Sequence, residues 1–450
     1  MTRLPASMAI ARFGLGIRPG DLHAVGDVRG ALLAELMVPD TLALGGQSLR
    51  DGRALYAQVR QMQRLRQAAK DGDDPVYDEA RRAFADLQRD EAAVRIEQIK
   101  AAPTGIGERL VAFWANHFAV EAGANQLVRG LAGAFEREAI RPHVLGRFAD
   151  MLATATRHPA MLIYLNNAVS VGPASRQGQR QGKGLNENHA RELMELHTLG
   201  VDGGYSQDDV TSLAKVLTGW SIGNRENEGD SYGAFLFRQQ AHEPGPQTVL
   251  GIAYPQPDME QGDAALVALA SHPSTARHLA LKLARHFVAD RPDAALVDLL
   301  ARTFLDTDGD LLDVSRALIE SDLAWTQERS KLRSPQEFVW AATRALDLPI
   351  KPQQAVRLLG DLGQPLWDPP SPAGFKDDVA TWLAPDAMTN RLAAAELMAA
   401  DAEGPDDPRE LAALIFGEAV SAQTLETIAR AESRIQGIAL LLMSPEFQRR

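Results

Sequence analysis

The stretch YDEARRAFADLQRDEAAVRIEQIK, residues 77–100, decides the fold class. Its apolar residues Ala80, Phe84, Leu87 and Val94 are four, three and seven apart, a spacing that gathers them along one side of an α-helix. The remaining positions are filled by strong helix formers such as Ala, Arg, Glu and Gln. Upstream, Leu32, Leu33 and Leu36 repeat the pattern. Between the two, Lys70-Asp-Gly-Asp-Asp-Pro75 lacks apolar residues and reads as a loop. Residues 1–105 are therefore read as an N-terminal helical arm.

Downstream the same period continues in a more apolar form. Leu110, Val111, Trp114, His117 and Phe118 share one helical face, and His158-Pro159 opens another helix with Pro at the first helical position. Residues Glu187 to Leu199 form a helix that stops at Gly200. Ser206 and Asp209 have capping-box spacing. A further helix runs from Pro273 to Val288. Only Ala234–Phe237 and Thr248–Leu250, on either side of His242-Glu-Pro-Gly-Pro246, read as β structure. The expectation is a mainly α, multi-helix single assembly with one small β-hairpin near residues 234–251. Residues 106–400 are its main helical body, and 401–450 are C-terminal helices packed on that body. Gly172–Gly184, with Arg176, Arg180 and Lys183 but no acid, is expected to be a mobile loop. Gly363–Phe375 is too rich in proline for helix or strand.

Composition narrows the function. The 450 residues carry 47 Lys+Arg against 59 Asp+Glu, a net charge of −12, with 45% hydrophobic residues. That acidic balance argues against general nucleic-acid binding, which needs a basic face. No apolar run approaches the ~18 residues of a membrane span. With no cysteine, disulfides, thiolate metal sites and a Cys nucleophile are excluded. Met1–Ile10 shows no cleavage pattern or twin arginine. The expected compartment is the cytoplasm, with export on a partner as the route to the periplasm.

Candidate chemistry concentrates in Asn186-Glu-Asn-His-Ala-Arg-Glu-Leu-Met-Glu-Leu-His-Thr-Leu-Gly200. His189, Glu192 and Glu195 recur every three residues along one helix side. Two carboxylates there suit a divalent cation such as magnesium or calcium, with Glu192 and Glu195 as its ligands. They equally suit acid–base work, or a solvated face on which Arg191 pairs with Glu187 and Glu195. His117 lies in apolar company and His242 in a turn beside Glu243. His278, Lys282 and Arg285 make a basic stripe at i, i+4 and i+7, able to face an anion. Asp306-Thr-Asp-Gly-Asp310 fails as a calcium loop, because its Gly and its twelfth residue are wrong for one.

Several segments together resemble the bacterial family called Domain of Unknown Function 1800. They are Arg12-Phe-Gly-Leu-Gly, Phe113-Trp-Ala-Asn-His-Phe118, His158-Pro-Ala-Met-Leu-Ile-Tyr-Leu165, Asn186–Gly200, Leu217-Thr-Gly-Trp220, His242-Glu-Pro-Gly-Pro246, His272-Pro273 through Arg285, and Gly309-Asp-Leu311. The resemblance implies a role at the cell envelope or on anionic polymers, and a partner from a sulfatase-like family encoded beside it. The sequence departs from the usual pattern at His189, Glu243, Gln247 and Asn166-Asn167. Glu192, Glu195, His117 and His242 survive these departures and are the catalytic candidates; Arg191, Lys282, Arg285 and Trp220 are the ligand-binding candidates. Three functions follow: a protein binding a polar or anionic ligand in a His/Glu-lined cleft with a basic rim, a hydrolase using Glu192 or Glu195 with His117 or His242, and a structural partner-binding protein. The Glu187–Leu199 and Pro273–Val288 helices are expected to line the cleft, with Gly172–Gly184 and Gly363–Phe375 flanking it.

Overall fold

Helix formation follows from capping and from the apolar period, as the longest helix shows. In the computed structural model, Pro75–Ala101 is one helix, opened by Asp74, whose carboxylate accepts from the amides of Val76 and Tyr77, and by Pro75 at its first position. Phe84, Ala92, Ile96 and Ile99 are buried along it, together with two charged residues, Glu91 and Arg95. Burying charge is costly unless it is paired and hydrogen-bonded, and both are: Arg95 Nε lies 2.9 Å from Glu136, and Glu91 lies 3.0 Å from Arg137 Nε. Arg141 then bridges Glu136 and Glu108.

The structure describes residues 5–38, 42–46, 48–69, 74–182, 184–326 and 329–450. Most of the loop read at Lys70–Pro75, the first residues of the chain, and Lys183 lie outside them. The fold is 64% helical, and its core is a contiguous apolar cluster drawn from residues between Ala9 and Phe447. A satellite of Val59, Met62 and Phe84 sits beneath the long helix. No helix among the described residues is long and apolar enough to cross a membrane.

The β structure is a pair of two-stranded antiparallel sheets. β1 (Trp220–Ile222) pairs with β2 (Phe235–Phe237), and β3 (Gln247–Val249) with β4 (Ile252–Tyr254). The two segments read as one hairpin thus find separate partners. The tight turn between β3 and β4 explains this: Leu250 and Gly251 both have positive φ, 52° and 75°, the geometry that closes a two-residue hairpin. The Gly172–Gly184 stretch is more ordered than expected. Ser175 caps a short helix, Arg176–Gln181, and the Gly172 amide donates to the Ala241 carbonyl at 2.8 Å. Local capping and this tie replace the apolar burial that the stretch lacks.

Two helices frame a sizeable cavity. Ile106–His117 begins after Gly105 at φ 84°. Its first amides are met by the Glu35 carboxylate, which accepts from the backbone of Thr104, Gly105 and Gly107. Pro273–Phe287 is capped by His272, whose Nδ1 accepts from the Ser274 amide at 3.1 Å. It buries Ala276, Leu279, Ala280, Leu283 and Phe287. At the end of the chain, the buried Arg450 guanidinium donates to Glu337 and to the carbonyls of His286 and Phe287. Its amide donates to the Lys331 carbonyl.

Candidate functional site

A cavity of about 530 Å³ opens between these two helices and the segment that follows the proline-rich stretch. Phe113, Asn116 and His117 come from the first helix, Lys282, Arg285 and His286 from the second, and Phe375, Lys376 and Asp377 from the third element. Gly363–Phe375 is irregular, as expected, and docks through Asn116. The Asn116 amide group donates to the Phe375 carbonyl at 3.0 Å and accepts from its N–H at 2.8 Å. Gly374 makes this approach possible. Its φ is 79°, and a Cβ there would come within 2.4 Å of the Asn116 carbonyl oxygen.

Behind the cavity lies a histidine cluster. The Asn188–Glu192 helix widens into a π-turn, Leu193–His197, which presents two backbone carbonyls to the neighbouring helices. The His197 carbonyl accepts from His117 Nε2 and the Leu196 carbonyl from His278 Nε2, each at 3.1 Å. A carbonyl can only accept, so His117 carries its proton on Nε2. Its Nδ1 is left as an acceptor and receives Lys282 Nζ at 2.9 Å. Gly200, at φ 83°, ends the segment, and a Cβ there would lie 2.8 Å from His278 Nδ1.

Electrostatics divide the cavity into a spent part and an unspent part. Asp377 accepts from His286 Nδ1 at 2.6 Å and from Lys331 Nζ at 2.9 Å. Burial pushes its carboxyl up, but His286 and Lys331 outweigh that and hold it far below the ordinary carboxylate range. Asp290 is taken by Lys331 and by the Val379 amide, and Asp378 by the Thr381 amide. Lys331 itself donates to Asp290 and to the carboxylate and carbonyl of Asp377, the full capacity of an ammonium. His286 Nε2 is met by Arg109 at 3.3 Å. Lys282 differs. Among the described residues it makes no ion pair, and its one hydrogen-bond partner there is His117. Burial is the main cause that lowers its pKa to about 8, and Arg285 adds to the effect against the pull of Asp377. Burial, and then Lys282, keep His117 well below its ordinary value. Arg285, Arg291 and Lys376 in the same lining are likewise without ion pairs among the described residues.

The remaining candidates lie outside this lining. Glu192 is partly buried, and burial followed by Glu195 raises its carboxyl. Both carboxylates act on Tyr205, and Glu192 also acts on Tyr164. Arg191 pairs with Glu187 at 3.2 Å. His242 is buried, with Nδ1 2.9 Å from the Thr218 carbonyl, while its neighbour Glu243 accepts from the Ala174 amide. Trp220 is wholly buried, with the Arg157 guanidinium 4.9 Å above its ring. His189 is wholly buried with neither ring nitrogen partnered, and burial lowers its pKa to about 4. Among the described residues, no group of three or more His, Asp or Glu is placed to hold a metal ion.

Several cavity residues escaped sequence reasoning, among them His286, Phe375, Lys376 and Asp377. His286 lies four residues after Lys282 on the stripe already singled out, and that spacing was its available signal. Asp377 and Phe375 follow a proline-rich run in which no period indicates which side chains face inward.

Residues 8–449 match the family described as Protein of unknown function (DUF1800). The chain belongs to that family. No curated protein and no solved structure matches it. In this DUF1800 protein the match spans all three elements of the cavity, from Phe113 to Asp378.

Proposed function

We propose that this DUF1800 protein binds a small anionic ligand, a carboxylate or phosphate compound, in the cavity between the Ile106–His117 and Pro273–Phe287 helices. One observation carries the reading. The cavity's carboxylates are consumed by its frame, while Lys282 sits in its wall with no counter-ion among the described residues. A half-buried ammonium left without a carboxylate is unfavourable, and an entering anion supplies what is missing. Arg285 and Lys376 at the mouth add attraction that draws an anion in.

Calorimetric titration with oxalate and with inorganic phosphate tests this. One equivalent should bind, more weakly as salt is raised. Lys282→Ala should weaken binding by about tenfold or more, the worth of a charged hydrogen bond, and Arg285→Ala by less. Undiminished affinity in Lys282→Ala overturns the assignment.

A further inference from the structure

Lysine is scarce here. Only eight of the 47 Lys+Arg residues are lysines, and the buried cations are mostly arginines: Arg12, Arg95, Arg109, Arg141, Arg333, Arg344, Arg391 and Arg450. An arginine at 282 would supply a permanent charge and a forked donor set. A lysine supplies a charge that can be given up, exposing a nucleophilic amine. Lys282 is surrounded accordingly. Its partner is an imidazole whose tautomer is fixed from behind by the His197 carbonyl, which leaves Nδ1 as an acceptor. Phe113 and Phe375 make apolar walls beside it, and no carboxylate pairs with it to fix the ammonium form.

We infer that Lys282 is a carbonyl-capturing amine, and that the cavity takes a small aldehyde or ketone bearing a carboxylate or phosphate. This rests on the anion-binding reading, which supplies the grip on the charged end through Arg285 and Lys376. Lys282 first releases its extra proton to solvent. The Nζ lone pair then attacks the carbonyl carbon, and the C=O electron pair moves onto oxygen. Nitrogen loses its two hydrogens as that oxygen leaves as water, and a C=N bond joins the substrate to Lys282. No oxidant or reductant is consumed. His117 Nδ1, able only to accept, orients the amine through one N–H and leaves the lone pair for attack. The pKa of about 8 leaves part of the amine neutral near neutrality. The titratable groups facing it are His117, His197, His278, Arg285, His286 and Asp377, and Asp290, Arg291, Lys376 and Asp378 line the same cavity.

The test is reductive trapping on the intact, folded chain. Glyoxylate or pyruvate is added with sodium borohydride, and the modified residue is located by peptide mapping. One adduct per chain is expected, at Lys282, with a trapping rate that rises with pH about a midpoint near 8. His117→Gln should move that midpoint. Lys282→Arg should abolish the adduct yet still bind oxalate. Modification spread over exposed lysines such as Lys351, with Lys282 untouched in the wild-type chain, overturns the inference. Oxalate binding without trapping defeats the covalent step alone. Trapping at Lys282 without oxalate binding defeats the anion reading alone.

Discussion

At position 282 a four-carbon arm carries a single charge into a wall of phenyl and imidazole rings, and the fold bears the cost of that. The pKa falls from 10.5 to about 8. Between these values the unfolded chain binds the proton and the folded chain does not, so this residue's contribution to stability improves as pH rises through that window. Below it the full penalty applies. Lys282→Met should therefore stabilise the protein at pH 7 by about 1–2 kcal/mol, after allowing for the hydrogen bond lost by His117. The gain should shrink by pH 10. Urea unfolding of both chains at the two pH values checks it. This residue was legible beforehand, because the i, i+4, i+7 spacing of His278, Lys282 and Arg285 announces a stripe whatever the surroundings. Its pairing with His117, 165 positions away, was not, since no local pattern encodes which helices meet. Glu192 and Glu195 show the opposite failure. Their regular spacing puts them close enough for Glu195 to act on Glu192, but the spacing is silent on which neighbour they face.

Among the elements, the helices were the readable part. Caps at Ser206 and Asp310, and the Pro273 that opens a helix behind its His272 cap, declare themselves through short-range chemistry. The π-turn at Leu193–His197 did not, because its widening serves the carbonyl contacts to His117 and His278 and leaves the apolar period nearly unchanged. The proline-rich segment is read from sequence as irregular and as flanking the cleft, but its exact destination, against Asn116, is not legible there. That destination now makes a prediction. Gly374→Ala places a methyl group against the Asn116 carbonyl at a positive φ, so Phe375 and Asp377 should be lifted from the cavity. Faster proteolytic cleavage between residues 363 and 378, together with oxalate affinity reduced at least tenfold, is the expected outcome. Unchanged cleavage would show that the backbone contact is not what seats the segment.

For the molecule as a whole, the buried histidines set the acid limit. His117, His189, His197 and His278 all have depressed pKa values, with burial the leading cause in each case, and two are lowered to about 4. Each is protonated more readily in the unfolded chain. Stability should therefore be fully present above pH 6.5 and fall steeply as pH drops toward 4. Thermal melts across that range should show it, and a flat melting temperature between pH 6.5 and 4.5 would contradict it. The last residue extends the same logic of interior charge. Arg450 and Arg109 together neutralise Glu337, and Arg450 also ties down the final carbonyls of the helix that carries Lys282. Arg450→Ala therefore acts as a core mutation, leaving Glu337 half-compensated and the far end of the ligand helix untethered.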